Sequence, residues 1–274
     1  MNHAGRLAVI MTVYNRMETT RVCLDRLLEE IETGITLDIF IHDGGSTDGT
    51  IEMILNDYPE VNLTRGIEDY WNEGMLLAWR SALPGEYNFY LWLNDDVVLS
   101  ENSISRLLRL YERKPENSII VGRTVSEDRT KSTYGGLIRS GRISNLKFRM
   151  LTPEEEECDT MHGNCVLIPK IAISRVGLNS GDFRHSTGDI EYGLRARKAG
   201  FFIYEEKQPV GRLDRNDEWE QSTKKITSDN YKYIFFNPKG IPINEWFTFT
   251  RKYGGILWPI NFMARYLKMI RINS

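Results

Sequence analysis

The chain has 274 residues, of which 41% are hydrophobic and 27% charged, and its formal net charge at pH 7 is −3. This composition is typical of a soluble globular protein with enough apolar material for a core, and it excludes the strongly basic character of a nucleic-acid-binding protein. Three scattered cysteines without a CxxC pair, no signal-peptide pattern and no apolar run of about 18 residues predict a protein of the reducing cytoplasm.

Strands and helices alternate through the first third of the chain. Continuous apolar runs predict strands at residues 7–13, 37–41, 61–64 and 88–93. Apolar residues at helical spacing predict helices that begin near Thr19 or Thr20, at 51–57 and at 75–83. This alternation predicts an α/β fold with a mainly parallel central sheet and helices on both faces, in which ligands bind at the carboxyl ends of the strands.

The second half is less regular. Apolar runs predict strands at residues 118–125 and 163–168, and a helix is expected at 189–199. The acidic segment Thr152–Glu157 is predicted to begin a solvated helix, with Thr152 as its cap and Pro153 in its first turn.

An acidic triplet, Asn94-Asp95-Asp96, directly follows the apolar strand that ends at Leu93. A hard cation such as Mg²⁺ or Mn²⁺ neutralises a diphosphate with few carboxylates, because water and phosphate oxygens complete its coordination. The triplet is therefore a candidate cation site. The alternative is a turn or helix cap, since Asp and Asn favour such places.

A glycine-rich turn, Asp43–Thr50, follows the second predicted strand. Its glycines permit unusual backbone angles and close approach of a ligand, and Ser46 and Asp48 are candidate caps of the next helix. Asp43 is placed to accept a hydrogen bond from a base or ribose. A tight strand-to-helix turn is the structural alternative, and the two are compatible.

A third acidic group lies in the segment 185–195, where Ser186 or Thr187 is predicted to cap a helix that carries Asp189 and Glu191 in its first turn. Asp189 is a candidate acceptor of a proton, with Glu191 contacting a hydroxyl group or an arginine. The structural alternative is that the helix dipole favours acids at this end.

The segment around Trp71 precedes a predicted helix. Trp71 is either a core aromatic residue or a platform for the ribose or sugar of a donor, since aromatic faces pack well on sugar rings. In the second case Asn72 and Glu73 are expected to contact sugar hydroxyl groups.

Four segments, 9–16, 43–50, 93–97 and 188–191, together resemble the family 2 inverting glycosyltransferases of GT-A fold, in the order of that family. The strand 163–168 and the segment 194–201 extend the resemblance to about residues 6–205. Asn94 stands where most of the family has the first acid of the metal motif. The same substitution occurs in family members that resemble bacterial rhamnosyltransferases.

The resemblance implies roles for single residues. Asp43 matches the acid that contacts the nucleobase, and Tyr14 and Arg16 lie in the loop beside it. Asp96 matches the metal-binding acid, and Asn94 and Asp95 precede it on the donor side. Asp189 matches the catalytic base, and Glu191 and His185 are expected on the acceptor side. Gly188 stands where the family has a glutamate.

The family often has a later histidine that completes the metal coordination, and residues 209–214 contain none. His185 or Asp214 is expected to replace it, or else the cation is held weakly. Arg212 is a candidate to offset phosphate charge directly.

The implied activity is transfer of a sugar from a UDP- or dTDP-sugar, with Mg²⁺ or Mn²⁺, to a saccharide or lipid-linked acceptor in bacterial surface polysaccharide synthesis. One alternative is a sugar-phosphate nucleotidyltransferase, which needs a basic glycine-rich loop where this chain has Tyr14–Met17. The other is a non-catalytic glycan-binding protein of the same fold. The expected organisation is a catalytic domain at 1–225, with a nucleotide-binding half at 1–100 and an acceptor half at 101–225, and a helical extension at 226–274.

The tail combines many aromatic and apolar residues with Arg265, Lys268 and Arg271 at helical spacing. Such a helix is expected either to lie in a membrane interface, at the inner face of the plasma membrane, or to pack on the domain or a second subunit as a homodimer. Pro259 is expected to limit the helix to about three turns.

Overall fold

A nine-stranded sheet forms the centre of the protein in a computed structural model that describes residues 5–30, 35–141, 144–215 and 224–271. Its strands follow the order β3-β2-β1-β4-β11-β6-β12-β5, with β7 paired to β6, and a second sheet has the order β10-β8-β9. The strands are β1 Gly5–Val13, β2 Ile35–Asp43, β3 Asn62–Arg65, β4 Phe89–Leu93, β5 Val98–Leu99, β6 Ser118–Val125, β7 Ser132–Tyr134, β8 Gly136–Arg139, β9 Phe148–Met150, β10 Thr160–Met161, β11 Cys165–Pro169 and β12 Phe202–Arg212.

The helices of the described chain surround this sheet. They are α1 Met17–Glu29, α2 Thr50–Asp57, α3 Trp71–Ala82, α4 Ser103–Glu112, α5 Lys170–Arg175, α6 Gly188–Lys198, α7 Tyr231–Phe236, α8 Ile243–Tyr253 and α9 Trp258–Arg271, with a 3-10 turn at Gly255–Leu257.

The first four strands are parallel to one another, which confirms the fold expected from the sequence. Their alternating side chains enter two cores, because successive residues of a strand point to opposite faces. Val9 packs toward α1, α2 and α4, whereas Ile10 packs toward α3 and α6. Burial of both faces explains why the sequence of β1 is apolar without alternation.

The second half joins the same sheet through β11, which runs antiparallel to both β4 and β6. The parallel pair β6 and β12 continues the sheet beyond it. Strands from both sides of residue 100 therefore share one sheet, and the expected division into two halves stays a prediction.

Three details differ from the sequence-based expectations. Helix α1 begins at Met17, earlier than Thr19. Trp71 is the first residue of α3 rather than a residue ahead of it. The prediction of a helix start at Thr152–Glu157 is wrong: the segment is irregular, because Glu155 binds Arg149 in a two-pronged ion pair and accepts a hydrogen bond from the Thr152 amide.

The helices α7 to α9 pack on the remainder of the protein through a third apolar cluster, in which Trp246 and Phe249 meet Phe183 and Leu194. Pro259 lies in the first turn of α9, where its missing N–H costs nothing, so it helps to start the helix rather than shorten it. No helix in the described part of the chain is long and apolar enough to cross a membrane.

Candidate active site

The loops that follow β1, β2 and β4 meet at the carboxyl edge of the parallel strands. Val13 at the end of β1 is the register partner of Asp43 at the end of β2, so the loops that follow lie side by side. Asn15 joins them: its amide donates to the Ser46 hydroxyl at 2.9 Å, and its side-chain oxygen accepts from the Thr47 amide at 2.8 Å. The Asp48 carboxylate accepts from the Met17 amide, so it caps α1 as well as binding Thr50 at the start of α2.

Asp95 and Asp96 share one cationic partner at this edge. The Arg16 guanidinium donates to Asp95 Oδ1 at 3.1 Å and to Asp96 Oδ2 at 2.6 Å. Asp95 is only 5% exposed and also accepts from the Thr20 hydroxyl at 3.2 Å. Burial and the charge of Asp96 raise the pKa of Asp95. Burial alone would lower the pKa of Arg16, but the negative charges of Asp95 and Asp96 outweigh this effect and raise the pKa.

The two carboxylates fit a divalent cation. Asp96 Oδ1 is buried and has no hydrogen-bond partner within the described residues, which is costly unless a cation or donor meets it. No group of three or more His, Cys, Asp or Glu side chains that could hold a metal occurs in the described part of the chain. The carboxylates can therefore supply part of the coordination of Mg²⁺ or Mn²⁺, with water and phosphate oxygens as the remaining ligands.

A cavity of 360 Å³ opens beside this carboxylate pair. Its lining brings together Thr12, Val13, Tyr14, Arg16, Glu68, Asp69, Tyr70, Trp71, Asp95, His185, Asn237 and Lys239. Five of these, Tyr14, Arg16, Trp71, Asp95 and His185, were singled out from the sequence.

Trp71 is half-buried between the core and the cavity. Its indole N–H donates to Asn94 Oδ1 at 2.8 Å, and its ring meets Trp92 edge to face. One edge of the ring therefore belongs to the core, as the first alternative expected. Trp71 also lines the cavity, and its role as a platform for a donor stays a prediction. The Asn94 side-chain oxygen is used to fix the Trp71 ring.

His185 lines the same cavity rather than a separate one. The Trp71 amide donates to its Nδ1 at 3.4 Å. Burial, with the nearby charges of Lys239 and Arg16, lowers the pKa of His185 to about 4, so the imidazole is neutral at pH 7.

Asp43 is fully buried beneath the loops. Its carboxylate accepts hydrogen bonds from the amides of Gly45 and Ser46, both at 2.9 Å, and Arg65 lies 4.0 Å away. These bonds fix the glycine-rich turn, which is the structural alternative noted above. Its contact with a nucleobase stays a prediction.

Asp189 stands at the start of α6. Its Oδ2 accepts from the Gly163 amide at 3.0 Å and its Oδ1 from the Ile190 amide at 2.7 Å. A methyl group at Gly163 would lie 2.5 Å from the Trp71 ring and 3.1 Å from Asp189 Cβ. The Trp71 ring, which lines the cavity, and the Asp189 side chain therefore both pack closely against Gly163, where a side chain would not fit.

Two sequence-based assignments are corrected by burial. Asn72 is fully buried, and its amide nitrogen donates to the carbonyl groups of Ser180 and Phe183, so it is not free to contact a sugar. The same residue explains the missing family glutamate, because a side chain at Gly188 would begin 2.2 Å from the Asn72 amide oxygen.

Glu191 is also fully buried, which rules out the expected acceptor contact. It accepts from Arg195, from Lys252 Nζ at 2.6 Å and from the Tyr253 hydroxyl at 2.7 Å. Burial alone would raise the pKa of Glu191, but the hydrogen bonds from Arg195 and Lys252 outweigh this effect and lower the pKa. Its contact with an arginine, the other expectation, is confirmed.

Asp214 and Arg212 are bonded to Glu127 rather than to the carboxylate pair. Asp214 accepts from the Glu127 amide and borders a different cavity, and Arg212 pairs with the Glu127 carboxylate at 3.3 Å. Of the two residues named to replace the family histidine, only His185 shares a cavity with Asp95.

Several residues near the site gave no signal in the sequence. Asn237 and Lys239 come from the segment after α7, outside the range of the resemblance, and reach the cavity through the tertiary fold. His162 precedes Gly163; its Nδ1 accepts from the Gly135 amide at 3.3 Å. Burial lowers the pKa of His162, and the charge of Asp189 partly offsets this.

The profile described as glycosyl transferase family 2 matches residues 8–175 of the chain. No curated protein matches the sequence significantly. Among solved structures, mannosyltransferase PcManGT from Pyrobaculum calidifontis, in complex with GDP-Man and Mn2+, is similar with a TM-score of 0.57 at 15% identity, over 96% of this chain and 70% of that one. S. aureus TarS 1-349, in complex with UDP-GlcNAc, is similar with a TM-score of 0.61 at 11% identity, over 98% of this chain and 74% of that one. At such identities the likeness concerns the fold alone.

Proposed function

The chain belongs to glycosyl transferase family 2 and has the fold of the GT-A glycosyltransferases, and we propose that it transfers a sugar from a UDP- or dTDP-sugar to a hydroxyl group with inversion at the anomeric carbon. The acceptor is a saccharide or a lipid-linked saccharide of a bacterial surface polysaccharide, such as O-antigen or capsule. The rhamnosyltransferase-like motif with Asn94 supports this choice, and the place of action is the cytoplasm.

One observation carries the proposal: Trp71, which lines the cavity, and Asp189 both pack against Gly163, so the candidate base lies next to the cavity wall. A donor bound in the cavity places its anomeric carbon beside Trp71, and an acceptor hydroxyl reaches it from the side of Asp189. Such an arrangement holds two reactants in position for direct displacement.

The donor is held by the loops at the carboxyl edge. The half-exposed Tyr14 ring packs on the nucleobase, with Asp43 beneath it, and Trp71 packs on the ribose or sugar. Lys239, whose ammonium lies 5.9 Å from the centre of the Tyr14 ring, faces the diphosphate. Arg16 moves from the two carboxylates to the phosphate oxygens when the donor enters, because both are anionic partners of a guanidinium.

Asp96, with Asp95, would hold Mg²⁺ or Mn²⁺, and the positive charge of the cation would stabilise a departing diphosphate. The unpartnered Asp96 oxygen supports this assignment. Neutral His185 lies beside the donor and is available as a hydrogen-bond partner for it or for the acceptor.

Asp189 acts as the general base. One carboxylate oxygen takes the proton of the acceptor hydroxyl while the hydroxyl oxygen forms a bond to the anomeric carbon. The bond from that carbon to the diphosphate oxygen breaks, and its electron pair leaves with the diphosphate. The amides of Gly163 and Ile190 orient the carboxylate for this step.

A thermal-shift screen of UDP-, dTDP- and GDP-sugars, each with and without Mn²⁺, tests the proposal. A ligand at about 100 times its Kd stabilises the folded protein by about 2.7 kcal/mol, so the donor is expected to raise Tm by several degrees. Slow release of nucleoside diphosphate from that donor without acceptor is expected of an enzyme. Binding without any turnover would favour a glycan-binding protein, and formation of nucleotide sugar from a sugar phosphate would favour a nucleotidyltransferase.

A further inference from the structure

An exposed apolar stripe runs along α9 and the turn before it. Its members follow intervals of four, three, four and three residues, so they lie on one helical face: Ile256, Ile260, Met263, Leu267 and Ile270. Their exposed fractions are 97%, 63%, 50%, 43% and 51%. A different face of α9 holds it on the protein, because Tyr266 and Met269 are buried in the cluster with Trp246 and Phe249.

The charged residues of the segment that carries this apolar stripe all have one sign. Residues 246–274 contain no Asp or Glu and carry the cations Arg251, Lys252, Arg265, Lys268 and Arg271, in a chain whose formal net charge is −3. Lys268 is exposed and follows Leu267 directly, so it lies on the flank of the stripe. Arg265 is stacked over the Trp246 ring at 4.7 Å, and Lys252 is bound to Glu191.

We propose that α9 docks flat on a membrane surface that contains anionic lipid, with the apolar stripe among the acyl chains and Lys268 at the headgroups. A helix of 14 residues is about 21 Å long, which is enough to lie in the interface. Apolar residues beside cations, without acids, complement an anionic interface. A second copy of α9 is a less suitable partner for the stripe than a membrane, because the cations on the flanks of the two helices would repel each other.

Docking of α9 is linked to the helix that carries Asp189. Lys252 and Tyr253 at the end of α8 bind Glu191, two residues after Asp189, and Lys198 at the end of α6 donates to the Lys252 carbonyl at 3.1 Å. A membrane-bound α9 would hold α6 at a fixed position relative to the membrane, where a lipid-linked acceptor is presented. This consequence rests on the proposed function, whereas docking itself does not.

Co-sedimentation of the full chain with vesicles tests the docking without reference to activity. The protein is expected to bind vesicles of phosphatidylcholine with phosphatidylglycerol, to bind pure phosphatidylcholine weakly, and to be released by high salt, since salt screens the cations. Equal recovery in the supernatant for both vesicles would overturn the proposal.

Paired variants locate the surface. The double variant Ile260→Gln/Leu267→Gln is expected to lower vesicle binding by at least about tenfold, and Lys268→Glu by about tenfold. The controls Val22→Gln/Leu55→Gln, which remove exposed apolar residues of α1 and α2, and Arg113→Glu, after α4, are expected to bind as the unmodified protein.

Circular dichroism and gel filtration with light scattering accompany each variant. Folded stripe variants that bind vesicles fully would overturn the proposal, as would loss of binding on Arg113→Glu. A dimer that the Ile260→Gln/Leu267→Gln variant converts to monomer would assign the stripe to a second copy instead.

Discussion

Trp71 and Asp189 both pack against Gly163, and they can do so because this residue lacks a side chain. Gly163→Ala places a methyl group 2.5 Å from the ring, so the ring or the turn that carries Gly163 must shift. A displacement of about 1 Å near reacting atoms lowers turnover by about 10²-fold, so kcat is expected to fall by this factor with little change in donor affinity. Steady-state kinetics and donor titration measure the two effects.

Gly181→Ala is the matched control, because its methyl group would meet only the Leu76 side chain at 3.8 Å. Full activity of Gly163→Ala, with Gly181→Ala also active, would mean that the reaction does not depend on the close packing of Trp71 and Asp189 at Gly163.

Asp96 carries the one oxygen of the carboxylate pair that has no hydrogen-bond partner among the described residues. Asp96→Ala is expected to lower transfer by about 10²-fold or more, because a bound cation contributes several kcal/mol to stabilisation of the leaving group. In calorimetry, Mn²⁺ should strengthen nucleoside diphosphate binding to the unmodified protein and not to the variant. Asp57→Asn, a surface carboxylate paired with Arg21, is the control. Full activity in excess EDTA would contradict the assignment.

The contact between α6 and α8 depends on a buried carboxylate. Tyr253→Phe removes a hydroxyl that donates to the fully buried Glu191 at 2.7 Å. Because the acceptor is charged and shielded from water, the free energy of unfolding is expected to fall by about 1.5–3 kcal/mol in urea titration. Tyr111→Phe, which loses an exposed bond to the Glu116 carbonyl, should cost clearly less. Equal losses would mean that the Glu191 cluster adds no special stability.

Glu245, in the first turn of α8, gives the protein a pH dependence of known sign. Burial raises its pKa from 4.5 to about 7. Between these values the folded state holds a proton that the unfolded state has lost, so the contribution to stability is present below the lower value and lost as pH rises through the upper one.

Glu245→Gln cannot ionise and is therefore expected to be more stable than the unmodified protein by about 1–3 kcal/mol near pH 8, with little difference near pH 5. Thermal melts across this range measure the difference, with the exposed Glu60→Gln as control. A constant difference at every pH would show that Glu245 does not titrate in this window.

The sequence was most informative for long buried elements and for loops that follow them directly. The strand β1 could be predicted because both its faces are buried and its sequence is a continuous apolar run. Strands β5 and β10 have only two residues each, which is too short to show the alternation of apolar and polar residues that predicts a strand. The acids at Thr152–Glu157 suggested a helix because their tertiary partner Arg149 could not be foreseen.

At the candidate site, the sequence did not predict which polar side chains are buried. Asn72 and Glu191 have polar side chains at the expected place in the chain, yet both are bonded within the protein. Lys239 reaches the cavity from a segment whose sequence carries no motif. The environment of each of these three residues depends on contacts between distant parts of the chain, which a local sequence pattern does not predict.

At the scale of the whole molecule, the site draws on each part of the chain. The parallel strands provide the carboxylate pair, and the antiparallel β11 positions Gly163 against α6. The segment between α7 and α8 adds Lys239 to the cavity, and α8 holds α6 through Glu191. The cavity with its carboxylate pair and the Asp189 side chain therefore belong to one folded unit.

Product analysis of sugar transfer by the unmodified protein and by Asp189→Asn tests this account most directly. NMR of the product is expected to show inversion at the anomeric carbon, with release of nucleoside diphosphate. Asp189→Asn keeps the shape of the side chain and loses its basicity, so turnover should fall by about 10²–10⁴-fold while donor affinity stays the same. Retention of configuration, or full turnover by Asp189→Asn, would contradict it.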